Sequence, residues 1–460
     1  MAGKRKTNPA GSSNDLRGDV LRVLGVLKVA TADQIQRIGA PHLSYRHTDK
    51  PTPSERKAAR TASHTGALSD MRKHGVTENG GTARTGEALR NLTTKGLEAA
   101  AYELRRPLTD MGSTARGAGS SGATHPMTVN ETVIAMLRPK PDLARLIEEP
   151  AEARAAAQAA VDAPAGIGTL RSYWTEVPLP AIGTWKAPGK GGAQADIVLT
   201  APQDHVPLLF IEADNCHETA EELADKLEKY ARFFRKKAKD SEGHELPMWR
   251  TRWTGGEATY GDVPHPPVLL VFNPIGERNP DRTVPRLAEL TRHLWAGERQ
   301  RGGHHHYEGK IPVVTVTLPN LSQHGPAGAV FHRFGRDHMQ PLVEAIGNPR
   351  REAADARERE EDRVQREDYQ KQRRRAAEQK EAEREARRPV CAACGAKFTD
   401  ERWKAAEAHP NATPRWHPTL CQPCAQQAVT ADQQAERERQ EQAQVPVQKA
   451  DSWRSRFRPG

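Results

Sequence analysis

The strongest constraint on this chain is a run that cannot enter any core. Residues 351–388 hold 25 charged side chains in 38 positions, 13 Arg or Lys and 12 Asp or Glu. Their signs alternate, and Glu367/Lys371 and Glu383/Arg387 stand four apart in the orientation that supports a helix. Such a segment is a solvated helix or a spacer, and its nearly cancelling charge gives it no grip on a polyanion. Packed domains must therefore lie before it or after it. With 36% hydrophobic and 28% charged residues among 460, one core filling the whole chain is excluded, and two to four domains are expected.

Residues 1–15 read as a disordered basic arm, and 16–104 as a compact domain. Leu16, Val20, Val23, Leu24 and Leu27 recur at helical spacing. Thr31 is an N-cap for a short helix over residues 32–38. A third helix runs from Ser54 to about His74, with Gly75 at the usual glycine position just beyond. It carries Arg56, Lys57, Arg60, His64, Arg72 and Lys73. Residues 76–94 read as a hairpin turning at Gly80-Gly81, and Thr93 leads into a further helix. Three helices, a hairpin and a helix are the order of a winged helix-turn-helix, whose third helix enters the major groove while the hairpin touches the backbone. Those six side chains are the expected contacts to double-stranded DNA, a partner that the net charge of +10 favours. A small helical domain with a basic, solvated face is the plainer alternative.

Residues 105–125 are rich in Gly, Ser, Thr and Ala and read as a linker. The segment 126–345 mixes periods. Val129, Val133, Met136 and Leu137 share a helical face, and Tyr173–Leu179, Ala195–Leu199, Leu208–Ile211, Val268–Phe272 and Val313–Leu318 read as strands. Helices fall at 218–237 and 285–294, which predicts a mixed α/β sheet. Glu212 and Asp214 are two apart on one strand and so project to one face; Asp196 joins them if its strand pairs. Three carboxylates held close suit Mg²⁺, which activates water and stabilises charge on a phosphate. Lys226, on the following helix, can reach the cluster. The same acids also suit turn and strand-end positions on a fold used for binding alone.

After the charged helix (346–389), Cys391-Ala-Ala-Cys394 and Cys421-Gln-Pro-Cys424 bracket 26 residues. Two CxxC pairs converging on one ion make a closed tetrahedron, the arrangement of a structural zinc rather than a catalytic one. A zinc module over 390–430 and a flexible tail over 431–460 are expected; His409 or His417 is a less favoured ligand. His304-His305-His306 with Glu308 is better explained as a polar loop than as a metal site, and Cys216 stands alone. Four of five cysteines paired as CxxC fit a reducing compartment. No apolar run reaches a membrane span, and Met1–Asn14 lacks an apolar signal core, so the expected location is the cytoplasm.

The order of elements, with Asp196 and Glu212, resembles the PD-(D/E)XK nuclease core. That family has Lys where this chain has Asp214, so catalysis would require Lys226 to substitute from the helix. More specifically, Leu92-Thr93-Thr94-Lys95-Gly96, His125-x-x-x-Val129-Asn130, Ala195-Asp196, Phe210–Asp214 and Lys226-Leu227-x-x-Tyr230 resemble the replication-relaxation family of actinobacterial plasmids and integrated elements. The resemblance spans roughly residues 16–300, and Ala195 replaces the proline usual in that family. It implies a DNA-binding accessory protein of plasmid or mobile-element replication or transfer, working with other replication or transfer proteins. Two alternatives stand beside it: a Mg-dependent DNA nicking nuclease, and a zinc-containing adaptor that docks a protein partner. The expected fold is α+β and multidomain: winged helix, restriction-endonuclease-like sheet, long charged helix and four-cysteine zinc knuckle.

Overall fold

A computed structural model of the chain describes residues 12–443, apart from 115–122, 186, 188, 241, 255–263 and 302. It divides into two compact units, Met1–Ala354 and Asp355–Gly460.

The first unit opens with α1 (Asn14–Leu27), β1 (Val29–Thr31), α2 (Ala32–Gly39) and α3 (Pro53–Lys73). Thr31 and Thr52 form capping boxes with Gln34 and Glu55, so α2 and α3 start where the sequence supplies acceptors for orphan amides. β2 (Thr77–Thr82), β3 (Ala88–Leu92) and α4 (Thr94–Leu104) follow, and the three strands pair antiparallel in the order β1-β3-β2. Val20, Leu24, Leu68, Met71, Ala100 and Leu104 join α1, α3 and α4 in one core.

Three expectations are corrected here. The hairpin turns at Ala83–Glu87, not at Gly80-Gly81, which lie inside β2 at a register shift. A Cβ on Gly80 would come within 3.2 Å of Val29 and 3.1 Å of Asn91, so glycine serves close approach there, while Gly86 (φ +86°) supplies the turn. The arm is ordered from Ser12, whose buried hydroxyl donates to Asp70 at 2.6 Å; residues 1–11 lie outside the described residues. The first half of the linker is packed, with Met111 buried and its carbonyl accepting from the Lys28 ammonium; residues 115–122 lie outside the described residues.

The chain continues through α5 (Thr124–Leu137), α6 (Ala151–Asp162), β4 (Tyr173–Leu179), β5 (Ala193–Ala201), β6 (Val206–Asp214) and α7 (Ala220–Arg235). A small hairpin, β7 (Lys237–Lys239) and β8 (Glu245–Pro247), precedes β9 (Val268–Phe272). Then come α8 (Pro280–Leu290), α9 (Arg292–Trp295), β10 (Glu298–Arg299), β11 (His305–His306), β12 (Val313–Thr317) and α10 (Leu318–His324). β13 (Phe331–Arg333), β14 (Met339–Gln340) and α11 (Leu342–Ile346) close the unit's sheet region. Seven strands form one mixed sheet in the order β14-β13-β12-β9-β6-β5-β4. β4, β5 and β6 are antiparallel neighbours, and β6, β9 and β12 run parallel.

Both faces of this sheet are covered, which is why its central strands read as unbroken apolar runs. Leu209, Ile211, Leu269 and Val314 face the core shared with α1, α3 and α4. Leu208, Phe210, Val268 and Leu270 face α7, whose Leu223, Leu227, Tyr230 and Phe234 are all buried. The N-terminal segment and the sheet are thus built on one continuous core.

The charged run forms α12 (Pro349–Ala386), nearly all of it exposed. In the second unit, α13 (Asp400–Ala408) and α14 (Gln422–Ala443) follow. Cys391, Phe398 and Cys421 form its small core, with Trp403 and Leu420 packed on it. The tail expected from 431 is helical to Ala443, and residues 444–460 lie outside the described residues. Among the described residues no helix is long and apolar enough to cross a membrane.

Candidate functional site

Two places in the first unit concentrate chemistry: the outer face of α3 with its hairpin, and the ends of β5 and β6 beside α5 and α7.

On α3 the expected contacts divide into two groups. His64 is fully buried 3.7 Å from Asp19 and presents nothing to solvent, which corrects its expected place on the surface. Arg60 is tied to Asp33 at 2.7 Å and Lys57 to Glu87 at 2.7 Å, so both brace the domain. Arg56 is exposed and donates to the Lys50 carbonyl. Arg72 and Lys73 are exposed and make no ion pair among the described residues. Between these ends the exposed face carries Ala58, Ala62, Ser63, Thr65, Gly66 and Ser69, so nothing bulky keeps another surface from the helix backbone. Sequence reasoning missed two cations of the hairpin. Arg84 stands exposed on its loop, and Arg90 on β3 is held below the usual guanidinium range by burial and then by neighbouring Arg72. Placing the turn at Arg84-Thr85-Gly86 would have found the first.

At the sheet ends, β5 and β6 pair as far as Ile197↔Ile211 and then part. Asp196 fills the gap: one carboxylate oxygen accepts from the Ala213 amide at 2.8 Å, and the other meets His125 Nε2 at 2.9 Å. That contact raises the His125 pKa above its ordinary value, with burial opposing. Glu212, buried on the neighbouring strand, accepts from the Tyr230 hydroxyl at 2.5 Å and lies 3.5 Å from the Lys226 ammonium. Burial first, and then Asp196, push its carboxyl up. Lys226 also pairs with Glu218 at 2.6 Å; although burial alone opposes its charge, the two glutamates hold its ammonium protonated. Glu176 flanks Asp196 at φ +54°, a left-handed conformation rare for a side chain in a strand, and burial raises its pKa against the pull of Lys28.

The structure therefore brings Asp196, Glu212 and Lys226 together. Asp214 is buried with one carboxylate oxygen lacking a hydrogen-bond partner among the described residues; burial first, and then the Glu218 charge, raise its pKa, against the Glu218 and His217 amides. His125 and Tyr230 complete the cluster; the sequence shows both residues but not that they converge. All four carboxylate oxygens of Asp196 and Glu212 face a protein donor, and an ammonium occupies the space between glutamates. Among the described residues these acids do not stand as a metal-holding group, and a divalent cation there would have to displace the Lys226 ammonium.

The four cysteines differ. The sulfurs of Cys391, Cys394, Cys421 and Cys424 lie within 4.8 Å of one another, with Cys394 and Cys421 at 3.6 Å. Bonds of about 2.3 Å to a tetrahedral ion need sulfurs just under ~4 Å apart, so the set fits zinc and leaves no open position. Gly395 (φ +73°) donates to the Cys391 carbonyl and closes the knuckle turn. The Cys421 amide, more than the knuckle's own amides, lowers the Cys391 thiol to about 6. His417 is engaged by Asp432 at 2.9 Å, and His409 packs edge-on against Trp416; neither belongs to the sulfur cluster. Cys216 is buried and its thiol is pushed up to about 11 by burial. His304 is buried beside Arg351, and His305 and His306 lie in β11; among the described residues they form no metal-binding group.

Residues 21–245 match the replication-relaxation family. The match covers 225 of 460 residues, from within α1 to the first residue of β8. It includes α3, the hairpin and the Asp196–Glu212 cluster. The zinc-type cysteines and the charged helix lie outside it. No curated protein and no solved structure matches the chain.

Proposed function

We propose that this chain is a DNA-binding accessory protein of plasmid or mobile-element replication or transfer, reading duplex DNA through α3 and the β2–β3 hairpin. The observation that carries this is the open, small-residue face of α3, ended by Arg72 and Lys73 and flanked by Arg84 and Arg90. The order α1-β1-α2-α3-β2-β3, with the strands paired β1-β3-β2, supports a winged helix-turn-helix. The replication-relaxation match over residues 21–245 supports the replication context. Gel shift against plasmid origin fragments over a salt series tests it. Binding must weaken steeply as salt rises, because phosphate contacts release counterions; absent or salt-insensitive binding rejects it.

A second reading, a DNA nicking nuclease, is favoured by one observation: the β4-β5-β6-α7-β9 connectivity brings Asp196, Glu212 and Lys226 together at strand ends, as in PD-(D/E)XK enzymes. Supercoiled plasmid incubated with and without Mg²⁺ tests it. Relaxation by the wild type and not by Asp196→Ala supports a nuclease; equal behaviour rejects one. Residues 390–430 are proposed to hold one structural zinc.

A further inference from the structure

The hairpin loop does not stand free. Ala83 is buried in a cluster with Val29, Leu89 and Ala123, and Met127 packs against it. Between this loop and α5 lies a cavity of about 390 Å³, whose walls include Ala83, Arg84, Met127, Asn273 and Ile275 together with Glu131, whose carboxylate is held bidentately by Arg37. That volume falls within the range of small-ligand sites, roughly 300–1,000 Å³.

Its walls are chemically divided. Met127 and Ile275 contribute hydrocarbon, and Ile275 stays 46% exposed, an apolar side chain left in water. Polar groups gather at one end, where Thr128 donates to Asn215 Oδ1 at 2.6 Å and Asn273 Nδ2 donates to Thr128 Oγ1 at 2.8 Å. This pairing uses the Asn273 amide nitrogen and leaves its oxygen without a hydrogen bond among the described residues. Arg84 is exposed and equally unpaired. Aliphatic walls, one unpaired amide acceptor and a free guanidinium suit a ligand with flat apolar faces, N–H donors on its edge and an attached phosphate. A nucleotide has all three. Thr124 lines the same cavity, and the next residue, His125, holds Asp196.

The geometry points to this cavity as a slot for one unstacked nucleobase of the bound DNA, with its faces on Met127 and Ile275, its edge on Asn273 and its phosphate on Arg84. It rests on the DNA-handling function proposed above. Extrusion costs unstacking, which favours single-stranded or locally melted DNA as the occupant.

The full chain is titrated with a fluorescein-labelled single-stranded 20-mer of mixed sequence and with an abasic 20-mer of equal charge. Burial of one base against Met127 and Ile275 is expected to give the base-bearing strand a preference of roughly tenfold. Ile275→Asn, neutral and at an exposed position, is expected to bring the ratio near one while duplex gel shifts stay as in wild type. Arg84→Ala is expected to weaken both strands alike. Photocrosslinks from 5-iodouracil are expected at residues 83–85, 124–131 or 273–275. Equal binding of both strands by wild type, an unchanged ratio in Ile275→Asn, or crosslinks confined to another surface overturns the slot. If duplex binding is intact and the base preference absent, the slot alone falls; if the preference holds and duplex binding is absent, the reader function falls and the slot stands.

Discussion

Asp196 and Glu212 are neighbours with different supports. Asp196 is oriented by a backbone amide and by half-exposed His125, whereas Glu212 is sealed beneath Tyr230. Strand alternation in the sequence was enough to put Glu212 on a known face. It could not show which groups Asp214, two residues on, would meet, because that depends on how the chain leaves β6. Nor could spacing along the chain reveal His125, which reaches Asp196 across 71 residues. The buried glutamate has a measurable consequence. Since the fold favours its protonated form, the contribution of Glu212 to stability falls as pH rises from the ordinary carboxylate range toward about 8. Glu212→Gln keeps an acceptor for Tyr230 and removes that penalty. It is expected to stabilise the protein at pH 8, on the order of 1–3 kcal/mol, and to change little at pH 4.5. Thermal unfolding at both values checks this; a loss of stability at pH 8 would mean that the ion pair with Lys226 outweighs desolvation.

At the scale of elements, α3 separates charges that its sequence presents as equivalent. Helix boundaries were legible where the caps are local: Thr31 and Gly75 sit where the backbone needs them, whereas the Thr52 cap places the start of α3 at Pro53 rather than at the expected Ser54. Which cations would be free was not legible, since Asp33 and Glu87, the partners of Arg60 and Lys57, come from other elements. The two groups should respond oppositely to mutation. Arg72→Ala with Lys73→Ala is expected to leave the melting temperature unchanged and to flatten the slope of log affinity against log salt by roughly two. Arg60→Ala leaves Asp33, 11% exposed, without its closest partner, and is expected to cost about 1–3 kcal/mol of stability. Salt-series gel shifts and thermal melts on both variants decide the matter. A double mutant with an unaltered salt slope would take the end of α3 off the DNA.

For the whole molecule, the chain falls into two units that part at Ala354/Asp355, inside α12. What composition could not reveal is that the first unit has one core: the apolar positions of α1 and of β6 read alike whether they pack on each other or on separate partners. The second unit has the opposite economy. Three buried residues, Cys391, Phe398 and Cys421, make a core too small to stabilise residues 390–424 by hydrophobic burial. The proposed zinc would supply the difference. A chelator such as 1,10-phenanthroline is therefore expected to release one zinc per chain and to open residues 391–424 to protease. The same treatment is expected to leave the thermal transition of residues 12–354 in place, because no ligand of that ion lies within them. Cys421→Ser is expected to reproduce the cleavage pattern without chelator. If residues 391–424 stayed resistant after metal removal, the sulfur cluster would not be what holds this unit folded. If the first unit melted earlier as well, the two would share stability that their separate cores do not account for.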